Sequence, residues 1–269
     1  MIEIILSSYV FILGLIVGSF LNVCIYRIPR KESIIKPPSA CTTCGVRLKM
    51  IDLIPVFSYI FLKGKCRFCK EKVSIKYPCI EILTGVIYLL LFYRFGLTTE
   101  LLATAFLMSI LVIVFFIDLK HFIIPNELVL AAIVGGIVTM IYNLFYPIQL
   151  YGDSIWWNPL MGMFVGFGFL FVVSLIVTLL YKTEDAMGMG DVKIFAPIGL
   201  FLGWRMTLLA LFSSFFIGAV ISVILVVLRI KKRQDTIPFG PFIVAGTFIT
   251  MMYGKHILSW YEGLFHSVF

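Results

Sequence analysis

Charge is scarce in this chain. Only 13% of its 269 residues are Asp, Glu, Lys or Arg, about half of the roughly 25% usual in a soluble domain. Histidine is scarcer still: His121, His256 and His266 are the whole complement, and they form no cluster. No glycine-rich nucleotide fingerprint is present, and no convincing inverted repeat of the transporter kind stands out. The amino-terminal segment carries Glu3 and no Lys or Arg ahead of its apolar run. That run is too long for a signal-peptide core, so it reads as a retained first helix. A chain this poor in charge is not a soluble domain.

What fills the space is apolar. Hydrophobic residues make up 61% of the sequence, and the mean hydropathy is +1.06. Charge-free runs occupy 4–26, 101–117, 128–152, 154–181, 206–228 and 236–254. Two shorter runs are 78–93, interrupted by Glu81, and 194–204, for which a re-entrant element is the rival reading. Stretches that cross roughly 30 Å of hydrocarbon must be helical, because lipid offers no partner to backbone amides. The expectation is an all-α polytopic membrane protein with about eight transmembrane helices. Its expected organisation is a first helix at 1–26, a soluble loop domain at 27–77, a membrane core at 78–254 and a tail at 255–269. Ile257, Tyr261, Leu264 and Val268 fall near one helical face of that tail, which reads as interfacial.

The basic residues are unevenly placed. Loops 27–77, 118–127, 182–193 and 229–235 hold 19 of the 22 Lys and Arg, leaving Arg94, Arg205 and Lys255 for the other side. By the positive-inside bias, these four loops face the cytoplasm and the amino terminus lies outside. The net charge of +8 expresses this asymmetry and an attraction to anionic membrane lipid. It requires no nucleic acid.

Loop 27–77 contains Cys41-Thr-Thr-Cys44 and Cys66-Arg-Phe-Cys69, with 21 residues between the pairs. Two such knuckles turn four thiolates toward one tetrahedral zinc. Disulfides are the alternative, disfavoured in a reducing compartment. With four sulfurs bound, no position is open to water, so the metal is expected to be structural. A loop with so few apolar side chains would draw much of its folding energy from the metal. Cys24 and Cys79 read as ordinary buried thiols.

Two aspartates sit at the expected cytoplasmic rim. Asp118 ends a span in "FFIDLKHFIIPN", and Asp191 lies in "GMGDVK" before the short run at 194–204. Taken alone, Asp191 reads as a helix cap. Gly188 and Gly190 permit unusual backbone angles and the close approach of a peptide substrate. Asp118 changes the balance, because a carboxylate at a helix carboxyl end opposes the helix dipole, and ionisable groups at the edge of a span are costly without a function. Two such groups at one depth suggest a dyad sharing one proton, one carboxyl activating water and the other protonating a scissile carbonyl. Which of the two is the base stays open: Asp191, near a helix start, is the more readily ionised, and Asp118, at a helix end, the more readily protonated. A proton-coupled transporter using the same two aspartates is the rival from another class; a single rim rather than a path speaks against it.

"IDLKHFIIPN" and "GMGDVK" resemble the two catalytic motifs of the type IV prepilin peptidases, GxGD-type membrane aspartyl proteases of bacteria. "GLIVGSFLNVCIYRIPR", "PPSACTTCG", "IPVFSYIFLKGKCRFCK", "SIKYPCIEILTG" and "IPFGPFIVAG" resemble other segments of that family, along nearly the whole chain. Asn126 stands where many members have Asp, and Glu127 fits a helix start better than catalysis.

The resemblance implies cleavage of the short basic leader of prepilins or pseudopilins on the cytoplasmic side of the bacterial inner membrane. Type IV pili, type II secretion and competence systems all use this chemistry. It also implies N-methylation of the new amino terminus with S-adenosylmethionine. Glu81 is a candidate contact for the methyl donor or the incoming amine, with a helix-edge Glu paired to a nearby Lys as the plain alternative. Tyr77 and Pro78 are expected to shape the entry into the second span. Gly240, between Pro238 and Pro241, breaks a regular helix there and frees backbone groups for an extended substrate, or merely makes a kink. The two remaining readings are a peptidase-dead scaffold and a methyltransferase alone, both opposed by the intact aspartate pair. The oligomeric state is not readable.

Overall fold

A computed structural model of the protein describes residues 1–151, 155–181, 188–232 and 235–266. Among these residues there is no strand beyond two isolated bridges, Ala40 with Arg47 and Lys65 with Lys72. The helices are α1 (Ile2–Arg27), α2 (Phe57–Phe61), α3 (Lys76–Phe95), α4 (Thr99–His121), α5 (Asn126–Phe145), α6 (Asn158–Tyr181), α7 (Met189–Leu202), α8 (Trp204–Val227) and α9 (Gly240–His266).

Each apolar run of the sequence overlaps a helix, but fewer spans are supported than the eight expected. Among the described residues six helices are long and apolar enough to cross a membrane: α1, α3, α4, α5, α6 and α8. The 14 residues of α7 rise only about 21 Å, short of the hydrocarbon thickness. α9 is long, yet Lys255 and His256 lie within it, and it is not among the six. It runs unbroken past Gly254, with Tyr261 and Leu264 exposed. Val268, the fourth residue of the expected tail face, lies outside the described residues.

Contacts divide the chain into two compact units, Met1–Leu101 and Leu102–Phe269. In the first, α1 and α3 pair through glycines. A Cβ on Gly14 would come within 2.7 Å of the Gly85 Cα, and one on Gly18 within 2.7 Å of the Glu81 Cα. Between apolar helices in lipid no hydrophobic gain remains, so small residues that let backbones meet supply the packing. The Asn22 side chain, buried on α1, donates to the Tyr77 carbonyl at 3.1 Å and so fixes where α3 enters.

The second unit repeats the device. Gly162 and Gly166 of α6 meet the backbone of α7 at Gly199 and Phe195, and Gly199 has the Gly162 backbone where a side chain would go. α7 is thereby sunk into the unit: Ile194, Phe195, Ile198 and Phe201 are fully buried. Asn158, at the start of α6, accepts from the Trp204 N–H at 2.9 Å and donates to the Tyr151 carbonyl at 3.0 Å, pinning the corner between α7 and α8. Around this centre, α5, α6 and α8 turn Leu130, Val138, Phe164, Leu179, Phe212 and Val227 outward, the dress of a lipid-facing surface.

Replacing Gly199 by Leu is expected to lower the thermal midpoint in detergent by about 5 °C or more, from forced separation of α6 and α7. Gly168→Ala, at a position with open space around it, serves as the control and should leave the midpoint unchanged.

Candidate functional site

Asp118 lies in the last turn of α4, the most enclosed of the six apolar helices, and is 5% exposed. The helix ends just beyond it: Phe122 takes a left-handed turn (φ 57°), and its N–H donates to the Asp118 carbonyl at 2.9 Å. The side chain does not face only the unfavourable end of its own helix. Its Oδ2 accepts the Gly240 N–H at 2.8 Å, a buried bond to the first residue of α9. A Cβ on Gly240 would stand 2.6 Å from that oxygen, so only glycine admits the contact. Two of the sequence expectations are corrected here. Pro238, Gly240 and Pro241 form the lead-in and first turn of a helix, not a break within one, and the Gly240 N–H is engaged by Asp118 and not free for substrate.

Asp191 occupies the first turn of α7, after Gly188 as N-cap. Its N–H donates to the Gly188 carbonyl at 3.0 Å, and a Cβ on Gly188 would lie 3.1 Å from its Oδ2. Gly190 packs on Ile124, where a Cβ would approach the Ile124 Cβ to 3.0 Å. Lys193 donates to the Asn126 side-chain oxygen at 3.4 Å, a second tie between the two motifs. Both carboxyls now face the start of a helix, so the basis for naming one the base and the other the acid falls away. Glu127 lies in the first turn of α5, as expected of it, and His121 is exposed at the end of α4.

The four cysteines of the first unit converge. The sulfurs of Cys41, Cys44, Cys66 and Cys69 all lie within 4.8 Å of one another, and those of Cys41 and Cys69 are 3.8 Å apart. A zinc–sulfur tetrahedron with bonds near 2.3 Å has edges of roughly 3.8 Å, so the donor set fits a closed zinc site. The two knuckles are built alike. Cys41 N–H donates to the Val46 carbonyl at 3.0 Å and Cys66 N–H to the Glu71 carbonyl at 2.8 Å. Gly45 (φ 70°) and Lys70 (φ 59°) make the same left-handed corner in each. All six cysteines are free thiols; Cys24 is buried as expected, whereas Cys79 is exposed.

Glu81, 7% exposed on α3, accepts the Val56 N–H at 2.7 Å. Among the described residues it forms no ion pair with a lysine, against the plain alternative for this residue. What sequence reasoning missed was the seating of these groups: Ile124 under Gly190, Asn126 on Lys193 and Val56 on Glu81. All three stand inside quoted motifs, Val56 in "IPVFSYIFLKGKCRFCK", but nothing in those motifs named their partners.

Comparison with known proteins bears on this geometry. Residues 12–95 match the model of the bacterial peptidase A24 N-terminal domain, and residues 105–223 match that of the type IV leader peptidase family. A "Prepilin leader peptidase/N-methyltransferase" of Bacillus subtilis (strain 168) is 37% identical over 94% of this chain and 97% of its own length. The chain belongs to the type IV leader peptidase family. Proteins of the same name in Myxococcus xanthus (strain DK1622) and Legionella pneumophila are 36% and 32% identical, over 85% and 93% of this chain and 68% and 92% of their own lengths. No solved structure matches. The two family models follow the two compact units closely, the first ending before and the second beginning after the boundary at 101/102.

Metal analysis of the purified protein is expected to find one zinc per chain, falling to background in Cys66→Ser. Gly240→Val should cut leader cleavage by about tenfold or more while zinc content holds, because the added side chain would displace the Asp118 carboxylate.

Proposed function

We propose that this multi-pass membrane protein removes the leader of type IV prepilins or pseudopilins and then N-methylates the new amino terminus. The observation that carries the peptidase half is that the two aspartate motifs pack together where α4 ends, Gly190 on Ile124 and Lys193 on Asn126, with Asp118 held by the Gly240 N–H. In the proposed mechanism the pair shares one proton. The ionised carboxyl takes a proton from water as it attacks the scissile carbonyl, and the protonated one donates to the carbonyl oxygen. The Gly240 N–H keeps the Asp118 side chain in one orientation, and the tight seat of Gly190 on Ile124 keeps the Asp191 turn against the end of α4.

By the positive-inside bias the rim faces the cytoplasm, where the basic leader of a substrate remains while its apolar helix sits in lipid. The relatives named as N-methyltransferases support the second activity, with S-adenosylmethionine as the methyl donor. The four cysteines would hold a structural zinc that keeps loop 27–77 folded; with four sulfur ligands it leaves no place for substrate. A transporter using the two aspartates finds no support among the relatives.

Incubation of a purified prepilin with the protein, followed by mass spectrometry, tests both halves. Cleavage is expected to fall by about 100-fold or more in Asp118→Asn and in Asp191→Asn, and the product should gain about 14 Da, one methylene's worth, when S-adenosylmethionine is added. Undiminished cleavage in either variant would remove that residue from the mechanism.

A further inference from the structure

Segment 50–61 of the cysteine module is folded inside out. In its first part, the 3-10 turn Met50–Leu53, the one charged side chain is turned inward. Asp52 accepts Arg67 Nε at 2.7 Å and the Lys49 N–H at 3.1 Å, while Met50, Ile51 and Leu53 are exposed. In its second part, α2, the polar Ser58 and Tyr59 line the interior of the first unit, and Phe57, Ile60 and Phe61 face out. Those three stand at i, i+3 and i+4, on one side of the helix. Met50 and Phe61 are 90% and 80% exposed. The two turns pack on each other, which brings their apolar side chains onto neighbouring parts of the surface. A surface facing water has the opposite arrangement.

The level of this segment is set by α3. Val56, the residue before α2, donates its N–H to the Glu81 carboxylate at 2.7 Å. It does so at φ 62°, a costly angle for a β-branched residue, so a definite contact holds the chain there. Glu81 lies five residues past Lys76, where α3 begins, or about 7 Å along the axis. The 20 residues of α3 rise about 30 Å, the hydrocarbon thickness itself. Ile82 and Leu83, directly after Glu81, are exposed in the manner of lipid-facing residues. α2 therefore starts at the level where α3 passes from headgroups into acyl chains.

Charge agrees with this placement. Lys49 stands immediately before the segment and Lys63 two residues after it, both exposed. Loop 27–77 as a whole carries twelve Lys and Arg against three acids, Glu32, Asp52 and Glu71, and Asp52 is already paired with Arg67.

We infer that segment 50–61 is a membrane-docking element. Its apolar side chains enter the acyl boundary of the leaflet in which α1 ends and α3 begins, and the lysines at its two ends meet anionic lipid headgroups. The occupant of this surface is lipid, which already surrounds α3, and not a protein arriving from solution. The four-cysteine module is thereby held to the membrane at a third place, besides its two connections to α1 and α3. This holds whatever the chain cleaves or methylates.

Photocrosslinking of the full chain in vesicles of phosphatidylethanolamine and phosphatidylglycerol tests it. The photoreactive residue p-benzoyl-phenylalanine replaces Phe61 in one variant and Leu13, exposed on α1, in another. Adducts are identified by mass spectrometry, and thermal midpoints verify that the variants are folded. Lipid adducts at 61 are expected at a yield within about threefold of that at 13. Lipid adducts at 13 with none at 61 would overturn the inference. Adducts at 61 to protein alone, whether to this chain, a second copy or an added prepilin, would overturn lipid as the occupant. Phe57→Ser combined with Ile60→Ser should lower the lipid yield at 61 by about threefold or more and leave that at 13 unchanged. Lys49→Glu combined with Lys63→Glu should do the same, and an unchanged yield in that pair would overturn the part given to the lysines.

Discussion

Backbone-to-backbone contact between helices is the constraint on which everything else in this protein hangs. In lipid the usual drive to bury apolar side chains is absent, since a leucine against a leucine is no better off than a leucine against an acyl chain. What remains is close approach, and close approach requires glycine. Gly14, Gly18 and Gly85 bring α1 onto α3, and Gly162, Gly166 and Gly199 bring α6 onto α7. The functional groups ride on these contacts. Glu81 is the residue whose Cα meets Gly18, and Asp191 opens the helix that Gly199 locks in place.

The carboxylate of Asp118 shows how a costly group is accommodated. Its own helix presents the wrong end of the dipole, and its surroundings exclude most water. α9 answers by starting at that point, its first N–H directed at Oδ2. A residue that looks misplaced on its own helix is thus a partner for another helix far along the chain. Among the described residues no cation is paired with it; a backbone dipole holds it instead.

Much of this could be read from residue order. The apolar runs marked the long helices, the paired knuckles marked the four-cysteine cluster, and the two aspartate motifs marked segments that pack together, Gly190 on Ile124 and Lys193 on Asn126. The spacing of the glycines was equally visible: Gly14 and Gly18, and Gly162 and Gly166, are each four apart, a known signature of tight helix pairs, yet it went unused because glycine in an apolar run looks like filler. Other features were not visible in principle. That Pro238, Gly240 and Pro241 begin a helix and not interrupt one depends on the chain before them being extended. That Gly240 is spoken for depends on Asp118 arriving from elsewhere. The count of crossings also exceeded what hydropathy licenses, because α7 is apolar for reasons of burial inside protein and not of contact with lipid.

The two knuckles share a shape but not a residue at their corner. Gly45 adopts its left-handed angle without penalty, whereas Lys70 holds the same angle with a side chain, at a cost of about 1 kcal/mol. The first half of the module is therefore at ease with its fold, and the second is held in tension. Were a metal held by the four sulfurs and then withdrawn, the Cys66–Cys69 turn would be the one that gains by letting go. Its loss would begin there, as an unlatching from one side, with the Cys41–Cys44 turn left standing as a template for return.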